Sequence, residues 1–443
     1  MKIELSEHFS YAKLLKFTFP SIIMMVFSSI YGVVDGVFVS NFVGSNPFAA
    51  VNLIMPFLMI LGAVGFMIGT GGSALVAYTF GIKKEKKANE IFSLLIYILI
   101  IAGVVFTVSG LIFLEPVSRL LGADDAMLPY CVSYGRIILT SLVPYMLQNV
   151  FQSFLVTAER PHFGLYITIL AGVTNIALDA LFVAVFEMGV EGAALATAIS
   201  QCVGGFIPLL YFTLPNKSKL HLGKTHLDLR AVGKTCANGS SEFMTNISMS
   251  IVNMIYNWQL MRIIGADGVT VYGVIMYVSF VFVSIFLGYS IGSAPIIGYH
   301  YGAGNKDELK SLFSKSIKLV ITMSICLTVA AEILAKPLSL IFVGSDPKLL
   351  DLTTMAFSIY AISFLLTGFN IFASSFFTAL NDGPVSALIS FGRTLLFQIV
   401  AVFVLPMIFD LSGVWFAVVA AEIMTLCLSL LCYILNRKKY SYV

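Results

Sequence analysis

Shifted against itself by 221 positions, close to half of its 443 residues, this chain brings its landmark residues into register. Gly44 falls on Gly265, Gly71 on Gly292, Gly81 on Gly302, Pro116 on Pro337, Asn149 on Asn370 and Gly192 on Gly413. The run Val51–Met55 falls on a stretch ending at Met276 that keeps its apolar character. A chain of two like halves folds most simply about a pseudo-two-fold axis. In a membrane, such an axis builds a central path that can open to either side.

Composition requires the membrane. The chain is 58% hydrophobic and 11% charged, with a mean hydropathy of +0.95, against about 45–50% and about 25% in a soluble domain. A membrane-spanning helix needs roughly 20 apolar residues. The first half offers six such stretches, at 14–41, 49–80, 91–114, 130–157, 162–186 and 190–214. The second offers 236–263, 269–301, 311–335, 351–380, 384–409 and 413–435. Pro20, Pro56, Pro144, Pro208, Pro295 and Pro406 each remove a backbone donor and invite a bend. The expected fold is all-α and integral to the membrane: twelve transmembrane helices in two pseudo-symmetric six-helix bundles. The N-terminal lobe covers residues 1–214, a cytoplasmic linker 215–235, and the C-terminal lobe 236–443.

Lys and Arg set the orientation. Twenty-one of the 26 basic residues fall in one set of loops, which includes Lys83 to Lys87, the linker, Lys306 to Lys318, Arg393 and Arg437 to Lys439. The opposite loops carry acids such as Glu115, Asp124, Asp125, Asp267 and Asp346. The positive-inside rule puts both termini in the cytoplasm. The first apolar stretch is too long for a cleavable signal. A net charge of +3 spread over loops argues against nucleic acid as a partner. The six cysteines stand singly, with no metal-ligand spacing, and read as small buried hydrophobes.

Few acids remain within the spans, and each costs about 2.5–3.5 kcal/mol on insertion scales. Asn175 and Asp179 lie four residues apart on one face of the fifth span. Asp35 on the first span and Thr197 on the sixth fall at a similar depth. Such oxygens suit Na⁺ or another hard cation, so the four form the candidate metal set. Two carboxylates kept close in a low dielectric also share a proton readily. Asp35 has a second reading, as a carboxylate facing water at the outer edge. Under the 221 shift, Asp35 maps to Tyr256, Asn175 to Leu396 and Asp179 to Val400, so the ionisable layer is one-sided. Glu242 either faces the central cavity or closes a polar helix start, and Glu422 has a cavity or interhelical role. Gln148, Asn149 and Gln152 are polar in an apolar span. With Glu242 and with Asn370, the repeat mate of Asn149, they are the candidate lining of a substrate cleft.

The stretch Val34-Asp35-Gly36-Val37-Phe38-Val39-Ser40-Asn41-Phe42-Val43-Gly44, followed by Ala49-Ala50-Val51-Asn52, resembles the first-span signature of the multidrug and toxic compound extrusion (MATE) family. Gly69-Thr70-Gly71-Gly72-Ser73, Gly81 and the Arg160-Pro161 turn resemble it too. The similarity covers the whole chain and is greatest to the bacterial drug-exporter branch. It implies a multi-pass protein of the bacterial cytoplasmic membrane, working as a monomer without a cofactor. In such a protein H⁺ or Na⁺ enters while a small organic cation leaves through a cleft between the lobes.

The family's first lobe carries an Asp on span one, an Asn and an Asp on span five and a Thr on span six, matched here by Asp35, Asn175, Asp179 and Thr197. Pro20 matches a proline at which some relatives bend, and is the candidate hinge. Glu242 resembles an acid of another branch, whose partner on span ten is absent between Met355 and Phe377. The main alternative is a flippase or exporter of a lipid-linked or other amphipathic substrate from the same superfamily. No HExxH, no Ser/His or Cys/His set and no phosphate-cradling glycine motif lies within a span, so an enzyme is not expected.

Overall fold

The computed structural model describes residues 3–43, 45–344 and 346–442, without the side chains of 37–41, 45 and 46. Gly44, with the register pair it forms, and the side chains from Val37 to Asn41 in the family signature lie outside that description. Among the described residues there is no strand, only helix, turns and two irregular stretches, 3–10 and 214–228.

Twelve rods follow one another. They are α1 (Tyr11–Phe42), α2 (Ser45–Gly81), α3 (Glu85–Leu120), α4 (Leu128–Thr140 continued by Leu142–Thr157), α5 (Pro161–Asp179 with a π-helical end Ala180–Val185) and α6 (Gly189–Thr213). The second half supplies α7 (Leu229–Ile264), α8 (Ala266–Gly302), α9 (Lys306–Val343) and α10 (Pro347–Ala361, then Phe364–Ala379 after a 46° bend). It ends with α11 (Gly383–Phe391, a π turn Gly392–Leu396, then Phe397–Val404) and α12 (Pro406–Tyr440). Among the described residues nine helices are long and apolar enough to cross a membrane, or ten if the bent α10 counts as one. The other two rods are α4, split at Ser141 into shorter pieces, and α7, the polar helix of the set.

The duplication is visible in the packing. α1 lies on α5, α2 on α4, and α5 and α4 on α6; their repeat mates do the same, α7 on α11, α8 on α10, and α11 and α10 on α12. The turns repeat as well. Lys83 and Gly304, 221 residues apart, both have positive φ (59° and 67°), as do Gly189 and Asp410 (61° and 46°). On α3 the buried positions run Ile91, Leu95, Leu99, Gly103, Gly110, Leu114, while Ile101, Val105, Ile112 and Phe113 are exposed. That is one stripe for the bundle and one for lipid. The mate α9 exposes Ile325, Val329 and Ile333 in the same way.

The lobes meet along α1–α8 and its mate α7–α2, with α2–α8 on the axis. Glycine allows the approach. A Cβ on Gly71 would lie 2.1 Å from the Thr235 carbonyl oxygen, and one on Gly239 would lie 1.8 Å from that of Met67. Gly81 and Gly302 close the α2–α8 crossing reciprocally: a Cβ on either would lie 2.2 Å from a backbone oxygen opposite, that of Tyr299 or Tyr78.

The helices outrun the predicted apolar stretches. α3 starts at Glu85 rather than 91, α9 covers 306–343 rather than 311–335, and α7 starts at Leu229. Glu, Lys and Asp continue a helix into water once its apolar part is placed, so hydropathy marks the bilayer rather than the helix end. The last residues of the expected linker are therefore the first turns of α7, N-capped by Asp228. The rest of the linker is stitched to α3, with His221 N–H donating to Asn89 (2.7 Å) and Gly223 N–H to Ser93 (3.0 Å). Two sequence readings change. Cys131 and Cys432 are buried, but Cys326 and Cys427 face outward. Arg393, counted with the loop cations, sits inside α11, because its charge is matched within the bundle by Glu422.

Candidate ion and substrate sites

α5 turns its Asn175–Asp179 face toward α1 and α6. Asp179 is fully buried, and the helix loosens into a π turn immediately after it; π turns often mark functional positions. Asp35, in the C-terminal half of α1, comes within hydrogen-bonding reach of Asp179. Asn175 donates to the Thr197 hydroxyl at 3.4 Å. The four residues chosen from the sequence thus converge. Among the described residues, no donor meets Asp35 Oδ1, either oxygen of Asp179, or Asn175 Oδ1, all of which are buried. A buried carboxylate without a donor or a counter-charge is strongly unfavourable. The arrangement therefore calls for a proton or a small cation, and its donors are all oxygen.

Asp35, Asn175 and Thr197 line a 290 Å³ cavity in the N lobe, with Tyr31, Tyr145 and Gln148; the buried Asp179 is not part of its lining. Gln148 is wedged against Gly204, whose absent side chain makes the room. Gln152 lines a smaller void between α4 and α6. Asn149 is buried with Nδ2 unpartnered among the described residues. Pro20 is buried within a continuous α1, next to the Ile22–Gly288 contact with α8.

The C lobe is arranged differently. Tyr256, at the position matching Asp35, donates to Gln398 at 2.9 Å and stacks on Tyr272; with Val400 at the position matching Asp179, neither N-lobe carboxylate has an acidic counterpart here. Charge sits deeper, where Arg393 Nε donates to Glu422 at 2.8 Å. Asn370 donates to the other Glu422 oxygen at 2.7 Å and accepts from Ser429 at 3.2 Å. Asn370 is therefore fully enclosed between α10 and α12. Glu242, on α7, lies within electrostatic reach of Arg393. Sequence reasoning missed this network; the signal available was a lone Arg well inside an apolar run.

It also missed a strap. Residues 4–9 cross from one lobe to the other at the end carrying the α2–α3 and α8–α9 turns. On the N lobe, Leu5 N–H donates to Glu159 at 3.1 Å, and Lys219 donates to the same oxygen at 2.8 Å. On the C lobe, Phe9 N–H donates to Glu308 at 2.9 Å, His8 Nδ1 pairs with Glu308 at 2.5 Å, and Lys315 donates to the Phe9 carbonyl.

The sequence model of one family, MatE, matches residues 20–181 and again 243–404, once in each lobe and over well more than half the chain. The chain belongs to the MATE family. Two curated relatives are described as multidrug export protein MepA. The one from Staphylococcus haemolyticus is 26% identical and covers 95% of this chain and 92% of its own length. That from Staphylococcus aureus (strain NCTC 8325 / PS 47) is 24% identical and covers 96% and 93%. Among solved structures, a MATE crystal structure in complex with MaL6 superposes with a TM-score of 0.92 at 21% identity, covering 99% of this chain and 97% of its own. An outward-facing multidrug resistance MATE transporter gives 0.91 at 21% identity, with the same coverage. This MATE protein is thus a multi-pass membrane transporter of twelve helices, not an enzyme.

Proposed function

We propose that this MATE transporter exports amphipathic organic cations by antiport against H⁺ or Na⁺, working as a monomer in the bacterial cytoplasmic membrane with both termini inside. Multidrug export is what its staphylococcal relatives are named for. The observation that carries the coupling is the Asp35–Asp179 pair, with three of its four oxygens buried and, among the described residues, without a donor. An incoming ion and a cationic drug satisfy that pair equally well, and both at once over-compensate it. Competition for one charge makes an exchanger. With the cleft open outward, H⁺ or Na⁺ taken up by Asp35 and Asp179 displaces the drug. Neutralising the pair removes the repulsion between the carboxylates and lets α1 bend near Pro20 against α5. The lobes then rock about the glycine-lined α2–α8 axis, and the ion leaves to the cytoplasm.

The test is efflux of a fluorescent organic cation from proteoliposomes, driven in turn by a Na⁺ gradient and a pH gradient, with wild type beside Asp179→Asn. Wild-type efflux under one gradient, reduced to the leak rate in the variant, is the expected result. Undiminished gradient-driven export by Asp179→Asn would sink the scheme.

A further inference from the structure

The C lobe holds a cavity that the coupling reading does not use. It has a volume of 170 Å³ and an aromatic wall that includes Tyr256, Tyr272 and Tyr360. Arg393 is its only basic lining residue among those described. The guanidinium is held by one edge: Nε is committed to Glu422, which Asn370 holds from the other side. Among the described residues, no hydrogen bond is made by Nη1 or Nη2. The side chain keeps 19% of its surface accessible, so these nitrogens are not sealed in. A planar pair of donors on a fixed guanidinium, beside aromatic faces, matches the two oxygens of a carboxylate on an aromatic body.

Glu422 cancels the charge of Arg393 but occupies only the Nε edge. Glu242, on α7, lies within electrostatic reach of Arg393, and among the described residues no hydrogen bond joins the two. The cavity neighbours the N-lobe site. Phe280 on α8, 42% exposed, lines both. The N-lobe cavity is lined by Asp35, and its C-lobe neighbour by Arg393 with its free guanidinium edge.

We propose that the C-lobe cavity is a second ligand subsite, in which the Nη edge of Arg393 takes the carboxylate of an aromatic amphiphile whose cationic end lies toward Asp35. The proposal rests on the export reading for the cationic end only; the Arg393 subsite itself is a matter of binding and needs no gradient.

The probe pair is rhodamine 19, a zwitterion with a free carboxylate, and rhodamine 6G, its cationic ethyl ester. Their binding to the purified full-length protein is read by fluorescence polarisation. In wild type the free acid binds at least tenfold more tightly than the ester. In Arg393→Gln/Glu422→Gln, which removes both charges and strands neither, the acid falls to within twofold of the ester while ester affinity holds. Arg393→Lys, which keeps the pairing with Glu422 but lacks the planar edge, cuts the preference at least threefold, and decides the matter if the double variant no longer binds ester.

Equal affinities in wild type, or a preference that survives both variants, overturn the proposal. Displacement of the acid by phenyl phosphate at lower concentration than by benzoate overturns the carboxylate assignment in favour of a phosphate-bearing ligand. Loss of gradient-driven cation export with the acid preference intact would count against the export reading alone.

Discussion

Asp179 has no accessible surface and, among the described residues, no donor, so what neutralises it decides what else the N lobe can hold. Asn175 and Thr197 separate the two candidate ions. Na⁺ collects oxygen ligands, so losing the Asn175 oxygen through Asn175→Ala costs about 1.4 kcal/mol or more. That is roughly a tenfold rise in the Na⁺ concentration that half-saturates efflux. A proton needs only the carboxylates, and in that case the variant leaves the pH profile of efflux in place. In the C lobe, Glu422→Leu strands Arg393 and costs about 3–5 kcal/mol. It lowers the thermal midpoint in detergent, and adding Arg393→Met restores most of it. Equal midpoints for wild type and Glu422→Leu would deny the pair any structural part. Asp35, Asn175, Asp179 and Thr197 could be read from the sequence because a polar residue in an apolar run stands out and repeats at helical spacing. Arg393 and Glu422 could not be paired that way. They come from two helices and 29 residues apart, and a lone Arg looks like a loop cation until its partner is seen.

Between helices, the backbone itself forms the contact. At the α2–α7 crossing the space left for a Cβ on Gly239 is 1.8 Å from a carbonyl oxygen, well inside any real contact, so Gly239→Ala forces the two lobes apart at that point. The expected outcome is a thermal midpoint several degrees lower, from a loss of about 1–3 kcal/mol of packing. Gly233→Ala, at a position with open space around it, leaves the midpoint unchanged. A Gly239→Ala protein as stable as wild type would mean that the crossing is looser than the structure has it. Repeat register points to other glycines at the lobe contacts, Gly71 with Gly292 and Gly81 with Gly302, but not to Gly239, whose mate is Thr18. What the register left open was which helix each one met. Nor did it give the breaks at Ser141 and after Ala361, or the π turns beside Asp179 and around Arg393. Those depend on tertiary contacts that hydropathy does not record.

For the whole molecule, the decisive quantity is the free-energy gap between the arrangement seen here and one open on the strapped side. Glu308 holds the strap to the C lobe through the Phe9 amide and His8, and Glu159 holds it to the N lobe through the Leu5 amide. Charge-assisted bonds of this kind contribute about 1.5–3 kcal/mol each. Removing the Glu308 pair therefore shifts the ratio of the two arrangements by at least about tenfold, at roughly 1.4 kcal/mol per decade. The Tyr78 and Tyr301 rings meet across the lobes at 5.6 Å. In a background without the native cysteines, Tyr78→Cys/Tyr301→Cys reports that closure by oxidative cross-linking. Adding Glu308→Ala slows the cross-link severalfold and raises labelling of the cleft by a thiol reagent applied from the strapped side. Asp307→Ala, at the exposed position just before Glu308, is the control for loss of an acid in this turn and leaves the rate unchanged. Glu308→Gln, which can still accept from the Phe9 amide, falls between wild type and Glu308→Ala. A cross-linking rate indifferent to both Glu308 substitutions would leave closure to the glycine-lined axis alone, with the strap merely resting on it.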